Sequence, residues 1–255
     1  MQQKLLPAIF FGHGSPMNAI ENNRYTAGWI SAVKNIAKPK AILVISAHWE
    51  TYGSKVTSNQ KQKTIHDFYG FPPALFSVKY EPKGSPEVAK RLQEIVPEIE
   101  LDETWGLDHG AWSVLVHTHP EADVPVLQLS LDKNKSPQQH FEMAKKLQIL
   151  RGENVLIIGS GNIVHNLRLL DWSNKKSFLW AEKFNASIKK AILENDFESV
   201  VEFEKFAGVR ESVPSLEHFL PLLYILALQK DGEKAAIFND EIELGSIAMT
   251  SVVIG

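Results

Sequence analysis

Short runs of apolar, β-branched residues alternate along this chain with stretches whose apolar positions recur at helical spacing. The runs Ala8–Phe11, Ala41–Ser46, Val124–Leu131, Asn154–Ile158 and Ser246–Ile254 have the length and composition of buried strands. Between them, Tyr25–Ala37, Pro86–Val96, Pro137–Leu150, Ser177–Glu194 and Pro214–Leu228 carry the period of helices that pack on one face. Pro86, Pro137 and Pro214 stand where a first helical turn tolerates proline, because the N–H that proline lacks has no partner there. Strands alternating with helices predict a three-layer α/β/α domain around a mixed, mostly parallel sheet. Asp231–Glu243 is a further strand candidate. No repeat, low-complexity stretch or linker interrupts the pattern, so 1–255 reads as a single domain.

Composition narrows the chemistry. Hydrophobic residues at 44% and charged residues at 22% give an ordinary globular balance, enough for a sizeable core. A formal net charge of -3 with scattered Lys and Arg argues against a nucleic-acid partner, which would meet a basic patch. There is no Cys, which removes disulfides, thiolate metal sites and a cysteine nucleophile. No basic start followed by an apolar run marks a secretory signal, and no apolar stretch approaches the roughly 20 residues of a membrane span. A cytoplasmic protein is expected, with no membrane partner, as a monomer or homodimer.

The nine histidines carry the functional argument. The first strand runs into Gly12-His13-Gly14, the second into Ser46-Ala47-His48, and a later one into Gly159-Ser160-Gly161 and then His165. In open parallel sheets, ligands bind beyond the carboxyl ends of the strands. One such histidine is ordinarily a hydrogen-bonded loop residue, but three strand ends that each deliver an imidazole to one edge could build a metal pocket. The Gly159–Gly161 loop has Val164 where a dinucleotide fingerprint needs its third glycine, and neither Ser15 nor Ser160 sits in a nucleophile-elbow frame. His218, with Glu217 beside it, lies near the start of the last predicted helix; either could face a metal, not both. His117 and His119 read as structural on a helix over Gly110–His117, and His140 as solvent-exposed on a polar helix. Trp49, Phe68, Tyr69, Phe71 and Trp112 could stack on a planar ring, although each also serves as ordinary packing.

Seven phrases in order match a known family: GHGSP at Gly12–Pro16, SAHW at Ser46–Trp49, TIHDFYGFP at Thr64–Pro72, GLDHGAW at Gly106–Trp112, ADVPVLQLS at Ala122–Ser130, GSGNIVHN at Gly159–Asn166 and EHFLPLL at Glu217–Leu223. Together they resemble the DODA-type class III extradiol ring-cleavage dioxygenases, the 4,5-DOPA dioxygenase family related to the catalytic subunit of protocatechuate 4,5-dioxygenase. The resemblance spans nearly the whole chain. It implies a phosphorylase/hydrolase-like α/β/α fold and one divalent metal held by His13, His48 and His218. Fe(2+) is the ion for dioxygenase activity and Zn(2+) a plausible occupant. It implies His165 as acid/base, and as a fourth ligand in a zinc-loaded site, with His109 near substrate and dioxygen. His66 and Tyr69, with Asp67, would form the substrate-binding wall or its covering loop. The implied reaction opens a catechol such as DOPA with dioxygen. An all-imidazole set departs from the usual two-histidine, one-carboxylate iron site, which leaves Glu217 as a rival third ligand. The competing readings are a zinc-dependent hydrolase on a similar fold and a non-enzymatic metal-binding protein.

Overall fold

The computed structural model describes residues 5–255. The strands are β1 (Ala8–Gly12), β2 (Ala41–Thr51), β3 (Lys55–Thr57), β4 (Glu100–Asp102), β5 (Val126–Asp132), β6 (Val155–Gly161), β7 (Ala235–Phe238), β8 (Ile242–Glu243), β9 (Ile247–Ala248) and β10 (Ser251–Ile254). The α-helices are α1 (Arg24–Val33), α2 (Pro73–Phe76), α3 (Pro86–Ile95), α4 (His109–Thr118), α5 (Pro137–Lys146), α6 (Ile149–Gly152), α7 (Leu179–Leu193), α8 (Phe197–Val201), α9 (Val209–Ser212) and α10 (Leu220–Leu226).

Eight strands form one sheet in the order β4-β3-β5-β2-β6-β1-β10-β7. The central β5, β2, β6 and β1 are parallel, while β3, β10 and β7 add antiparallel pairings at the flanks. Alternate residues of each strand face opposite sides. Phe10, Leu43, Leu127 and Ile157 therefore pack with α3, α5, α7 and α10 on one face. Ile9, Phe11, Val44 and Ile158 pack with α1 and α4 on the other. The result is the expected three-layer domain. β7 falls inside the candidate stretch Asp231–Glu243, and α4 covers the Gly110–His117 run.

Two departures from the sequence pattern shape the site. β2 continues past Ser46 to Thr51, and its pairing with β5 slips between Ile45 and Glu50. Such a bulge bends a strand and re-aims its side chains, and it contains His48. The last helix begins at Leu220 instead of Pro214. The turn before it is tied to the end of β6, where Asn162 N–H donates to the His218 carbonyl at 2.8 Å. Gly161 permits that approach, since a Cβ there would stand 2.2 Å from the same carbonyl oxygen.

His140 corrects an expectation. It is fully buried, not solvent-exposed, and its Nδ1 lies 2.8 Å from the Tyr224 hydroxyl. On α5 it shares the inward face with Met143 and Ala144, three and four residues on, and this spacing outweighs its polar sequence neighbours. Burial pushes its pKa down to about 4.

Candidate metal centre

β1, β2 and β6 end on one side of the sheet, and His13 and His48 arrive there from the first two. The His218 turn is held against the end of the third. The ring centroids lie 5.1 Å apart for His13–His48, 5.4 Å for His13–His218 and 4.9 Å for His48–His218. One ring nitrogen of each is within 4.8 Å of the others. Gly110 opens the space beside them, because a Cβ there would meet Ser46 Oγ at 2.5 Å and His48 Cδ2 at 2.8 Å.

Hydrogen bonds settle which nitrogens are free in His13 and His218. Ser160 Oγ donates its one proton to the Gly110 carbonyl at 2.5 Å. It must then accept from His13 Nδ1, 3.0 Å away, which leaves His13 Nε2 as a lone pair. Glu217 Oε1 accepts from His218 Nδ1 at 3.0 Å, and His218 Nε2 is buried without a protein partner. His48 turns Nδ1 towards Asp67 Oδ2 at 3.7 Å, and its Nε2 lies 3.2 Å from that of His13. The three imidazoles thus converge, with His13 and His218 backed by Nδ1 hydrogen bonds, the arrangement that orients metal-binding histidines, and His48 only facing the Asp67 carboxylate.

Burial pulls the pKa of His13 well below the usual histidine value, helped by His48 and His218. His48 and His218 shift the same way, first by burial, then by His109 and His165 respectively; Asp67 partly opposes the shift of His48. Neutral imidazole is the form a divalent ion takes up. A buried three-nitrogen set suits a first-row divalent ion better than Mg²⁺ or Ca²⁺, which prefer oxygen donors. Glu217 stands behind His218 and is not part of the converging set; the same Oε1 also accepts from Ser215 Oγ at 2.8 Å.

The remaining histidines divide sharply. His165 stacks flat on His218 at 3.4 Å between centroids and 8° between planes. It groups with Glu217 and His218, not with the converging three. Burial pushes its pKa down to about 4, against the pull of Glu217. His109 opens α4 and lies 3.8 Å from the His48 ring and 5.8 Å from that of His13. Asp67 accepts from both its backbone N–H and its Nδ1, each at 2.9 Å. Burial works to raise the Asp67 pKa, but the His109 hydrogen bonds and the neighbouring imidazoles hold it below the usual carboxylate range. His66 donates Nε2–H to the Val78 carbonyl at 3.0 Å and sits against Phe68, Phe76 and Trp112. It braces the covering loop. Tyr69 is 92% exposed, outside this aromatic cluster. His117 hydrogen-bonds the Asn18 carbonyl at 2.7 Å.

Phe68 joins this wall to the site, with centroids 5.6 Å from His109 and 5.4 Å from Phe71. Trp112 anchors it by donating Nε1–H to the Ile65 carbonyl. Trp49 turns away to stack on Trp105. Neither the bond of Ser160 behind His13 nor the grip of Asp67 on His109 is visible in the sequence, where Asp67 reads only as part of the wall. Their roles depend on partners about 147 and 42 residues away, which no local pattern encodes. Among the described residues, no helix is long and apolar enough to cross a membrane.

Fold and site together define an α/β enzyme with a histidine-rich centre beyond its parallel strand ends. Residues 8–254 match the family model for the catalytic LigB subunit of aromatic ring-opening dioxygenase, and the chain belongs to that family, the extradiol ring-cleavage dioxygenases. It is 43% identical over 262 residues to the 4,5-DOPA dioxygenase extradiol of Escherichia coli (strain K12), covering 100% of this chain and 97% of that protein. Against the protein of the same name from Beta vulgaris it is 34% identical, covering 98% and 97%. A crystal structure of an uncharacterized protein from Escherichia coli K12 superposes with a TM-score of 0.86 at 40% identity, covering 98% of this chain and 100% of that one. These relatives do not favour the zinc-hydrolase alternative.

Proposed function

We propose that the chain opens the ring of a catechol, with DOPA as the first candidate, beside one of its hydroxyls, on a divalent ion held by Nε2 of His13, His48 and His218. The observation that carries this reading is the convergence of ring nitrogens from three histidines, two of which have Nδ1 engaged by a hydrogen-bond partner so that Nε2 is free. The names of the relatives supply DOPA as the candidate catechol. The chemistry supplied at that position would be acidification of a catechol hydroxyl and electron exchange with dioxygen; Fe(2+) supports both, Zn(2+) only the first.

The chain's own residues then manage protons and water. His165 enters as a neutral ring, so its lone pair can take a catechol proton at neutral pH and return it as the ring opens. His109 offers the second such nitrogen, since its Nδ1 proton is committed to Asp67. Phe68, Phe71, Phe76 and Trp112 form an apolar wall suited to a planar ring and exclude water from one side. His66 acts on that wall by bracing the loop, and Tyr69 at its exposed tip is a contact for groups outside the ring.

The test is anaerobic loading with Fe(2+), followed by oxygen uptake across a panel of catechols including L-DOPA. Uptake with a visible-absorbing semialdehyde product is expected, and Zn(2+) loading should abolish it. No uptake with any catechol in an iron-loaded sample would overturn the reading.

A further inference from the structure

We propose that Asp67 is a positioning residue for His109, fixing its tautomer so that Nε2 is the free basic nitrogen at the site. The inference rests on the ring-opening reading for its catalytic consequence only; the tautomer stands on geometry.

One carboxylate grips one residue twice. Oδ1 accepts the His109 backbone N–H and Oδ2 accepts Nδ1, each at 2.9 Å. An ionised carboxylate only accepts, so both protons belong to His109. The ring cannot turn without breaking a bond, and Nε2, without a hydrogen-bond partner among the described residues, carries the lone pair. The Asp67 side chain is mostly shielded, at 18% exposed, so these bonds are sheltered from water. His48 Nδ1 lies 3.7 Å from the same Oδ2, beyond hydrogen-bond reach. Asp67 therefore orients His109 and only adds a favourable field at His48.

The covering loop does not depend on Asp67 for its place. Leu107 N–H bonds the Lys63 carbonyl at 2.9 Å, Ile65 N–H bonds the Leu107 carbonyl at 2.8 Å, and Trp112 Nε1–H bonds the Ile65 carbonyl at 2.8 Å. The N-cap of α4 is Asp108, whose Oδ1 accepts from Ala111 N–H, and Asp67 satisfies the separate His109 N–H of the first turn through Oδ1 alone. Oδ1 is enough for the helix end, so the second oxygen, placed on Nδ1, serves the imidazole.

The test uses the full chain with Asp67→Asn and Asp67→Ala; the amide keeps the shape but offers one acceptor for two donors, which guards against an alanine variant that fails to fold. Imidazole ¹H–¹⁵N spectra of the Zn(2+)-loaded protein, with His109 assigned from His109→Phe, should show an Nδ1–H tautomer in the parent and its loss in the variants. Zinc stoichiometry should stay unchanged. With Fe(2+) and L-DOPA, kcat should fall by about 100-fold with KM within about threefold. A retained Nδ1–H signal in both variants overturns the proposal, and so does loss of zinc, which would make Asp67 a support of His48 instead. If the parent turns over no catechol, the ring-opening reading fails while the spectra still decide the role of Asp67.

Discussion

His218 and His140 are chemically alike and sit in different regions of the same fold. Each is buried, and each has Nδ1 engaged, with Glu217 and with the Tyr224 hydroxyl. Each has its pKa lowered chiefly by burial, and each leaves Nε2 buried without a side-chain partner. What separates them is the company. His218 faces His13 and His48 at the open ends of the parallel strands, with nitrogens within 4.8 Å. His140 lies between α5 and α10, where the Tyr224 ring is 5.6 Å away and the Asp132 backbone and carboxylate pull its pKa upward against burial. Burial and weakened basicity are therefore no signature of function. Ring nitrogens that converge, with hydrogen bonds behind His13 and His218, are.

The strongest way to break this contrast is to delete one member of each set. His13→Ala or His48→Ala should weaken Zn(2+) binding by well over 100-fold, beyond the cost of losing a partner behind a ligand. Metal analysis after gel filtration would read a fall from one ion per chain towards none. His140→Ala should keep its metal and instead lose about 3 kcal/mol of stability, the cost of emptying a packed core position, read by urea unfolding. Metal retained in both ligand variants would sink the assignment of the centre.

Acid should sharpen the contrast next. The His140 pKa is about 4 in the fold, against about 6.5 in the unfolded chain. Between these values the unfolded state binds a proton that the folded state does not, so stability is fully present above pH 6.5 and falls as pH drops towards 4. The full span is worth about 3 kcal/mol. Asp108 works in the opposite sense: burial, helped by Asp67, raises its carboxyl to about 6, so its proton favours the fold at low pH. The comparison that isolates His140 is therefore parental protein against His140→Phe, both metal-free, by urea unfolding at pH 7, 6 and 5. The variant should show the shallower loss on acidification. Parallel curves would mean that His140 does not titrate on unfolding.

How much of this was legible beforehand depends on the range over which each cause acts. His13 and His48 are legible because each directly follows an apolar run of strand length, a local pattern; the bulge that carries His48 is not, since it is defined by the pairing of β2 with β5. The three layers were visible because helical and strand periods are local too. The start of α10 was not, because Pro214–Phe219 satisfies every local rule for a first helical turn and is held out of it by Asn162 across a gap that Gly161 leaves open. β3 and β4 are three residues each and exist only through pairing with distant partners. His140 was misread because its neighbours Gln138, Gln139 and Glu142 are polar, whereas its burial is decided by Met143, Ala144 and the facing Tyr224.

Ser160 probes how the far side of a ligand ring matters. With Ser160→Ala, His13 Nδ1–H loses its acceptor and the Gly110 carbonyl its donor. Losses of this kind behind a metal-bound histidine typically cost about 10- to 100-fold in affinity. Competition titration with a chromophoric zinc chelator should find a shift in that range with one ion still bound per chain. An unchanged affinity would show that His13 holds its tautomer without help.

The smallest effect belongs to the other half of the comparison. Tyr224→Phe removes the hydroxyl that meets His140 Nδ1 at 2.8 Å and leaves the ring in its packed position. The Tyr224 hydroxyl is itself held un-ionised by burial, so the contact is between neutral groups. A neutral hydrogen bond is worth about 1 kcal/mol net, and leaving a buried ring nitrogen without its partner adds to that, so a loss of about 1–2 kcal/mol is expected. His140 should become more mobile without approaching the metal centre, since α10 keeps its apolar face on β6 and the His218 turn keeps its bond from Asn162. Urea unfolding reads the stability and zinc titration the site. If Tyr224→Phe weakened zinc as much as Ser160→Ala does, the two histidine regions would be coupled through α10, and the contrast drawn between them would have to be replaced by a single network.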